Sequence, residues 1–148
     1  MIKVQPNYLP LRQYQQIEDY CYAADYYYGE RDNPHTQPTG LVHNLSLNSH
    51  IVKYFPTKGL FRAYINYFSA GEQPHFHVDH GRLTSLYYIN EEGYNLNEGG
   101  CTEIHTHEGH LTSVLPFRNT LVTFDAVLPH RATSFNTLPR FTLALKYE

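Results

Sequence analysis

Apolar side chains recur at steps of three or four residues in one stretch of the chain, residues 11–28. Such spacing places them on one face of a helix. The stripe consists of Leu11, Tyr14, Ile17, Cys21 and Ala24. Gly29 is a suitable stop for a helix, and the polar, proline-containing residues 30–40 predict a loop. We therefore predict one helix near the N-terminus, over residues 11–28.

The pattern changes from about residue 41, where the chain becomes strand-like. Period-two alternation, and short runs rich in β-branched and aromatic side chains, are typical of strands. Such runs occupy residues 61–67, 83–89, 111–115, 120–124 and 141–147. Gly, Pro, Asn and Asp separate them. The sequence thus predicts a mainly β fold, a jelly-roll of roughly eight antiparallel strands behind a short N-terminal helical cap.

Length and charge limit the possible functions. With 148 residues, the chain is expected to form a single domain, 1–148, with its motif-bearing core at about 60–148. A net charge of −3 favours neither nucleic acid nor an acidic membrane as a partner. The apolar runs are too short to span a bilayer, and the N-terminus lacks the apolar segment of a secretion signal. We expect a cytoplasmic protein with Cys21 and Cys101 as free thiols.

Candidate metal chemistry is concentrated in His77, Asp79 and His130. Residues i and i+2 of a strand point to the same face, so His77 and Asp79 are predicted to point together. His130 follows a predicted strand and a Leu128-Pro129 turn, and can complete the set. Two imidazoles and one carboxylate on one face of iron(II) leave the opposite face open for a co-substrate and dioxygen.

A cation follows these candidate ligands. Arg140 comes ten residues after His130. Its planar guanidinium can hold a carboxylate through two parallel hydrogen bonds. We therefore expect Arg140 to bind the far carboxylate of an organic co-substrate.

Other histidines allow a different interpretation. His75 lies on the same predicted strand face as His77, and His105 and His107 form a second HxH pair. A cupin-like metal protein could use His75, His105 or His107 as ligands, whereas exposed surface positions would explain them equally. The sequence also leaves open a non-catalytic β-sandwich that binds ligands through its aromatic surface.

Seven short pieces of the chain, in this order, resemble the iron(II)- and 2-oxoglutarate-dependent dioxygenases, and among them the prolyl-4-hydroxylase-like branch. The pieces are Tyr67, His77-Val78-Asp79, residues 84–90, Gly99-Gly100-Cys101-Thr102, residues 121–124, His130 and Arg140. The resemblance covers residues 67–147. It implies a double-stranded β-helix, another name for the predicted jelly-roll. It also implies that His77, Asp79 and His130 bind iron and that Arg140 binds the distal carboxylate of 2-oxoglutarate.

The resemblance implies further roles around the co-substrate. Tyr88 matches a strand tyrosine whose hydroxyl reaches the 2-oxoglutarate carboxylate, and Tyr67 matches an aromatic side chain that lines the pocket. Thr142 shares a strand face with Arg140 and is a candidate pocket wall. The chain departs from the family pattern at Cys101, where Glu often follows the two glycines, and in lacking tryptophan.

An oxidoreductase is the function that the resemblance implies. The expected reaction uses iron(II), 2-oxoglutarate and dioxygen, with ascorbate as a further candidate cofactor, and releases succinate and carbon dioxide. The expected substrate is a peptidyl residue, proline first; a free amino acid or small metabolite is the alternative. Residues 91–98 and 103–110 are predicted to be loops that frame the entrance of the site. Their acidic residues favour a basic peptide, and simple solvation of the loops is the alternative explanation. These acidic residues are Glu91, Glu92, Glu98, Glu103 and Glu108.

Overall fold

The computed structural model describes residues 1–29, 31, 34–35, 37–90 and 94–148. Over this part of the chain, strands predominate and one α-helix, α1, spans Leu11–Ala23. The strands are β1 Ile2–Gln5, β2 Leu41–Leu45, β3 Leu60–Phe68, β4 Leu83–Ile89, β5 Thr102–His105, β6 Leu111–Val114, β7 Leu121–Asp125, β8 His130–Ala132 and β9 Arg140–Tyr147. Two short 3₁₀ helices, Val52–Tyr54 and Leu96–Glu98, lie between strands.

The strands form two antiparallel sheets. The larger has the order β1-β7-β4-β9-β3-β2 and the smaller the order β6-β5-β8. A bridge between His77 and His130 adds the segment before β4 to the β8 edge of the smaller sheet. Two facing antiparallel sheets of this kind make a jelly-roll. The predicted mainly β double-stranded β-helix with a short N-terminal helical cap is confirmed.

Each face of the larger sheet has its own apolar core. On one face, α1 buries Tyr14, Ile17 and Cys21 of its predicted stripe against strand residues such as Tyr87 and Leu143, whereas Leu11 is exposed. On the other face, side chains of both sheets meet, including Leu86 and Ala144 from the larger sheet and Ile104 from the smaller. Strand β9 lies between β4 and β3 and is buried along its whole length. Side chains of β9 therefore alternate between the helix side and the space between the sheets.

Helix α1 is shorter than predicted, since it ends at Ala23 and not near residue 28. Ala24 is already extended, with ψ of 155°, and its N–H donates to the Tyr20 carbonyl. The Tyr26 hydroxyl donates to the Cys21 carbonyl at 2.7 Å, and Tyr27 pairs with Val42 of β2. Pairing with β2 therefore ends the helix before the Gly29 signal is reached.

Four strands lie outside the runs predicted from the sequence: β1, β2, β5 and β8. Residues 103–105, predicted as part of an entrance loop, belong to β5, which pairs with both β6 and β8. Strand β1 obtains its partner, β7, from the distant residues 121–124. Short strands such as these depend on tertiary pairing more than on their own propensity. Within the described ranges, none of the helical segments is long and apolar enough to cross a membrane.

Candidate functional site

The structure brings His77, Asp79 and His130 together between the two sheets. One ligand atom from each lies within 4.8 Å of the others, and no other group of three such side chains does so among the residues described. The His130 Nε2 atom is 3.1 Å from Asp79 Oδ2, and His77 Nε2 is 3.6 Å from Asp79 Oδ1. Backbone hydrogen bonds between His77 and His130, at 2.9 and 3.0 Å, fix the two histidines side by side.

Both imidazoles present the same nitrogen to the centre of this group. Nδ1 of His130 lies 2.8 Å from the Leu128 carbonyl, and Nδ1 of His77 lies 3.2 Å from the His75 carbonyl. A carbonyl can only accept, so Nδ1 carries the proton in each ring. Nε2 is therefore the nitrogen that each ring turns toward Asp79. It is the atom that would bind a metal once it carries no proton, in the orientation that outer hydrogen bonds give to metal-ligating histidines.

Asp79 is held as a carboxylate. Its Oδ2 accepts from the Thr84 hydroxyl at 2.6 Å and forms an ion pair with the Lys146 ammonium. Burial disfavours the charged form, but the hydrogen bond from His130 and the charge of Lys146 outweigh it and keep the pKa of Asp79 well below its usual range. Asp79 is therefore available as an anionic ligand at any physiological pH.

Arg140 is buried near the same place. Its Nε donates to the Gly100 carbonyl at 3.1 Å, and its terminal nitrogens donate to the hydroxyls of Thr142 and Thr102 at 2.7 and 3.2 Å. No carboxylate pairs with it among the residues that the structure describes. Burial lowers the pKa of Arg140, yet a guanidinium stays protonated in proteins. A buried cation without an anion is costly, so the arrangement suits an anionic ligand.

A cavity of about 160 Å³ lies between the three candidate metal ligands and Arg140. Its walls include the three candidate ligands together with Arg140, Thr142 and Lys146 of β9 and Tyr64 and Asn66 of β3. The pocket is thus large enough for a small organic acid that contacts both the guanidinium and a metal held by the three ligands.

The remaining predicted co-substrate residues differ in their placement. Thr142 lies in the wall of the cavity, and its role toward 2-oxoglutarate stays a prediction. Tyr88 lies behind Arg140: its ring centroid is 5.6 Å from the guanidinium carbon, and its hydroxyl donates to Thr102 Oγ1 at 2.7 Å. Burial raises the pKa of Tyr88 to about 12, so the hydroxyl stays protonated. Its predicted contact with 2-oxoglutarate stays a prediction.

Tyr67 does not lie in the cavity, contrary to the sequence-based expectation. It packs on the helix side of the larger sheet against Tyr26 and Phe141, with ring centroids 5.8 and 5.0 Å apart. Strand side chains alternate, so Tyr64 and Asn66 take the cavity positions of β3. Tyr64, and not Tyr67, is therefore the tyrosine that β3 contributes to the cavity.

The histidines that suggested a cupin-like site do not join the three candidate ligands. Within the described ranges, His75, His105 and His107 contribute to no cluster of three possible ligands. The ring of His105 packs against Phe76 at 5.1 Å, and His107 lies 3.8 Å from Asp125 on the surface.

Two residues with a direct contact to Asp79 were not identified from the sequence, namely Lys146 and Thr84. Side chains two residues apart on a strand lie on the same face. The sequence therefore places Lys146 on the same face of β9 as Arg140 and Thr142. The sequence holds no sign that this face meets Asp79, which lies 67 residues away along the chain.

No family model matches this chain, and no curated protein matches it. Solved structures do resemble it. A prolyl-4-hydroxylase from Pseudomonas putida is 15% identical with a TM-score of 0.80, over 99% of this chain and 91% of its own. A 2OG-Fe(II) oxygenase family oxidoreductase from Burkholderia pseudomallei is 11% identical with a TM-score of 0.75, over 99% and 85% of the two chains.

A third similar structure contains a peptide. It is a prolyl hydroxylase from Trichoplax adhaerens in complex with a hypoxia inducible factor peptide fragment. It is 14% identical to this chain, with a TM-score of 0.72, over 99% of this chain and 82% of its own. At such identities, these similarities show that the chain has the jelly-roll fold of these oxygenases. Substrate and cofactor must be argued from the site.

Proposed function

We propose that this protein is an iron(II)- and 2-oxoglutarate-dependent dioxygenase that hydroxylates a peptidyl residue, with proline the first candidate. One observation carries the proposal. The buried guanidinium of Arg140, without a carboxylate partner among the described residues, lines the same cavity as two histidines and an aspartate whose ligand atoms converge.

The donor set fits iron(II). This ion accepts both imidazole nitrogen and carboxylate oxygen, and two histidines with one carboxylate leave positions open on it. His77 and His130 would bind through Nε2. Asp79 would bind through Oδ1, since Oδ2 is occupied by Lys146 and Thr84. When bound, iron supplies the oxygen-activating chemistry, which converts 2-oxoglutarate, dioxygen and substrate into succinate, carbon dioxide and a hydroxylated product.

The chain supplies binding and orientation for the co-substrate. A carboxylate that enters the cavity would find the fork of Arg140 fixed by Gly100, Thr102 and Thr142. A planar fork held in this way pairs with a carboxylate through two hydrogen bonds, with little further loss of side-chain freedom. The opposite, keto-acid end of a short diacid would then point toward the candidate metal ligands. This arrangement favours 2-oxoglutarate over a monoacid.

A peptide is the favoured substrate, because two of the three compared structures are prolyl hydroxylases and one contains a peptide fragment. The same chemistry on a free amino acid or small metabolite is the alternative. A panel of proline-containing peptides and a pool of metabolites, assayed in parallel, will separate the two.

The test is release of succinate by purified protein with iron(II), 2-oxoglutarate, ascorbate and dioxygen, together with detection of one added oxygen in the substrate by mass spectrometry. We expect Asp79→Ala to abolish both signals. The matched control is Asp19→Ala, which removes an exposed carboxylate on α1 far from the cavity. Succinate release without metal, or full activity of the Asp79 variant, would contradict the proposal.

A further inference from the structure

The two carboxylate oxygens of Asp79 each lie near one of the candidate metal-binding nitrogens. Oδ1 is 3.6 Å from Nε2 of His77, and Oδ2 is 3.1 Å from Nε2 of His130. The backbone of Asp79 is held in place, because its N–H donates to the Ala126 carbonyl at 2.9 Å. A metal between the two imidazoles could therefore be bound by one oxygen of this carboxylate or by both, since carboxylates use either mode.

The number of Asp79 oxygens that bind decides how many positions stay open on the metal. On an octahedral iron(II) ion, two imidazole nitrogens and one carboxylate oxygen leave three positions open. A keto acid that binds through two oxygens leaves one of these for dioxygen. A second oxygen from Asp79 would take that last position. The proposed reaction therefore needs Asp79 to bind through one oxygen.

Two donors of the larger sheet occupy Oδ2 of Asp79 and not Oδ1. The Thr84 hydroxyl donates to Oδ2 at 2.6 Å, and the Lys146 ammonium forms its ion pair with the same oxygen. A carboxylate oxygen has about two lone-pair sites, so these two donors fill the sites of Oδ2. Among the described residues, Oδ1 receives neither a hydroxyl nor an ammonium donor. Its lone pairs stay available to a metal.

The register of the larger sheet places both donors. Thr84 of β4 and Lys146 of β9 are directly opposite each other, and opposite side chains on one face of a sheet are neighbours. Lys146 Nζ lies 3.5 Å from Thr84 Oγ1, and the two residues are 5% and 0% exposed. A hydrogen bond between two charged groups is roughly twice as strong as one between neutral groups. Lys146 is therefore the stronger of the two donors to Asp79.

Lys146 has one carboxylate partner within the described ranges, and this is Asp79. The acidic residues of the predicted entrance loops do not compete for it. Glu103 forms its ion pair within the smaller sheet, and Glu98 accepts hydrogen bonds from the segment before β9. Glu91 and Glu92 lie outside the described residues. The ammonium of Lys146 is thus committed to Oδ2 of Asp79.

Resting on the proposed function, we propose that Lys146 is a positioning residue. Together with Thr84 it keeps Oδ2 of Asp79 off the metal, so that Asp79 binds through Oδ1 alone and one position stays open for dioxygen. An outer partner that merely supports a ligand acts differently, since its loss typically lowers metal affinity by about 10- to 100-fold. Loss of Lys146 would free a second carboxylate oxygen and remove a positive charge beside the metal. Both changes strengthen metal binding, while the open position is lost.

The test compares the wild type with Lys146→Met, both loaded with iron(II) and 2-oxoglutarate in the absence of oxygen. Nitric oxide is the probe for the open position, and its binding is followed by absorbance and electron paramagnetic resonance. We expect Lys146→Met to bind nitric oxide at least about tenfold more weakly, and to bind manganese(II) at least as tightly as the wild type.

Two further variants are controls for this comparison. Lys146→Gln keeps an N–H donor for Oδ2 without the charge, and should retain most of the nitric oxide affinity. Leu145→Ala truncates the neighbouring residue of β9, which is buried in the helix-side core. It should destabilise the same strand and leave nitric oxide binding unchanged.

A crystal structure of Lys146→Met with manganese(II) and 2-oxoglutarate gives a direct readout. We expect both oxygens of Asp79 on the metal in this variant and one in the wild type. Two bound oxygens in the wild type, or equal nitric oxide affinity of the wild type and Lys146→Met, overturns the inference. A lower manganese affinity with unchanged nitric oxide affinity shows support alone and also overturns it.

If Lys146→Met does not fold, Thr84→Val takes its place, because it removes the other donor to Oδ2. Weaker nitric oxide binding by this variant supports the inference, and binding equal to the wild type overturns it. Calorimetry of the wild type with metal and 2-oxoglutarate tests the proposed function separately. Absence of either binding event overturns the proposed function and the inference together, whereas normal binding with an unaffected Lys146→Met variant overturns the inference alone.

Discussion

At the scale of single residues, the buried charge of Arg140 is expected to favour ligand binding and to lower the stability of the fold. Among the described residues, the buried guanidinium of Arg140 forms hydrogen bonds only with hydroxyl and carbonyl groups. Replacing a buried charge by an apolar side chain of similar volume is often neutral or stabilising, whereas removing one member of a buried ion pair costs about 3–5 kcal/mol. The same substitution should therefore have opposite effects on folding and on binding.

We expect Arg140→Met to weaken 2-oxoglutarate binding to the metal-loaded protein by more than about a hundredfold. The unfolding free energy of the ligand-free variant should be unchanged or higher. Calorimetric titration and chemical denaturation measure the two effects. Arg140→Lys, which keeps the charge without the fork, should lie between wild type and Met in affinity. Unchanged affinity in the Met variant would contradict the assignment of Arg140.

Lys146 and Asp79 form a buried ion pair, so removal of either side chain leaves the other charge buried without its partner. Asp79→Ala leaves the Lys146 ammonium buried beside Thr84 and Tyr64 without its carboxylate. We expect a loss of about 3–5 kcal/mol in unfolding free energy. Adding Lys146→Met to this variant should recover a large part of the loss. Urea denaturation of both single variants and the double variant gives the coupling energy. Strictly additive effects would show that the ion pair does not contribute.

At the scale of elements, the turn before β5 positions the guanidinium. Gly100 has φ of +76°, and its carbonyl accepts from Arg140 Nε. A Cβ at this position would lie 2.2 Å from Cε1 of Phe135. The turn therefore needs glycine for both its backbone conformation and its close contact.

Gly100→Ala is expected to destabilise the protein and weaken 2-oxoglutarate binding. The positive φ costs about 1–2 kcal/mol, and the overlap with Phe135 adds about 1–3 kcal/mol. Gly109→Ala is the matched control, since Gly109 has φ of +83° with nothing within 4 Å of its Cβ position. It should show the backbone cost alone, with unchanged 2-oxoglutarate affinity. Thermal unfolding and calorimetry compare the two. Equal effects would rule out the contact with Phe135.

The segment that leads into β9 is tied to the same turn by Glu98. Its carboxylate accepts from the N–H and hydroxyl of Thr137 and from the N–H of Leu138, at 2.6 to 3.1 Å. The hydrogen bond from the Thr137 hydroxyl is the main reason that the pKa of Glu98 lies below its usual value of 4.5. A carboxyl group with a lowered pKa stabilises the fold above its unfolded pKa, and this contribution is lost as the pH falls through the folded pKa.

We therefore expect the unfolding free energy of the wild type to fall more steeply on acidification below about pH 4.5 than that of Glu98→Gln. Near neutral pH the variant should be the less stable of the two. Denaturation curves between about pH 3 and pH 7 would reveal the difference. Parallel pH profiles would indicate that Glu98 does not hold this segment as a carboxylate.

At the scale of the whole molecule, the site links the two sheets. His130 belongs to the smaller sheet, Lys146 and Arg140 to the larger, and Asp79 to the segment between β3 and β4. A ligand that binds all of these groups in the folded state alone stabilises the whole fold by mass action.

Metal followed by 2-oxoglutarate should raise the unfolding temperature in two steps. At a ligand concentration of one hundred times its Kd, the gain is about 2.7 kcal/mol. A chelator should reverse both steps, and 2-oxoglutarate alone should have little effect, because its keto-acid end then has no metal. Thermal melts of wild type and Asp79→Ala, which should show neither step, make the test. An equal shift by 2-oxoglutarate without metal would contradict the shared site.

The sequence by itself determined that the fold is mainly β and which residues are the candidate metal ligands. Period-two alternation predicted most of the long strands, because a strand with one buried face requires it. The HxD spacing predicted that His77 and Asp79 face the same way, since this depends on local geometry alone. The structure brings both together with His130, although their role as metal ligands stays a proposal.

The tertiary structure alone decided which faces became the cavity. Alternation placed Tyr67 and Tyr64 on opposite faces of one strand. Tertiary packing decided that Tyr67 lies against the helix-side core, next to Tyr26 and Phe141, and that Tyr64 lines the cavity. Pairing with β2 ended α1 early, and the docking of the two sheets brought Lys146 to Asp79. Each of these outcomes depends on contacts between residues far apart along the chain. Local periodicity carries no information about such contacts, because it reports only how neighbouring residues alternate.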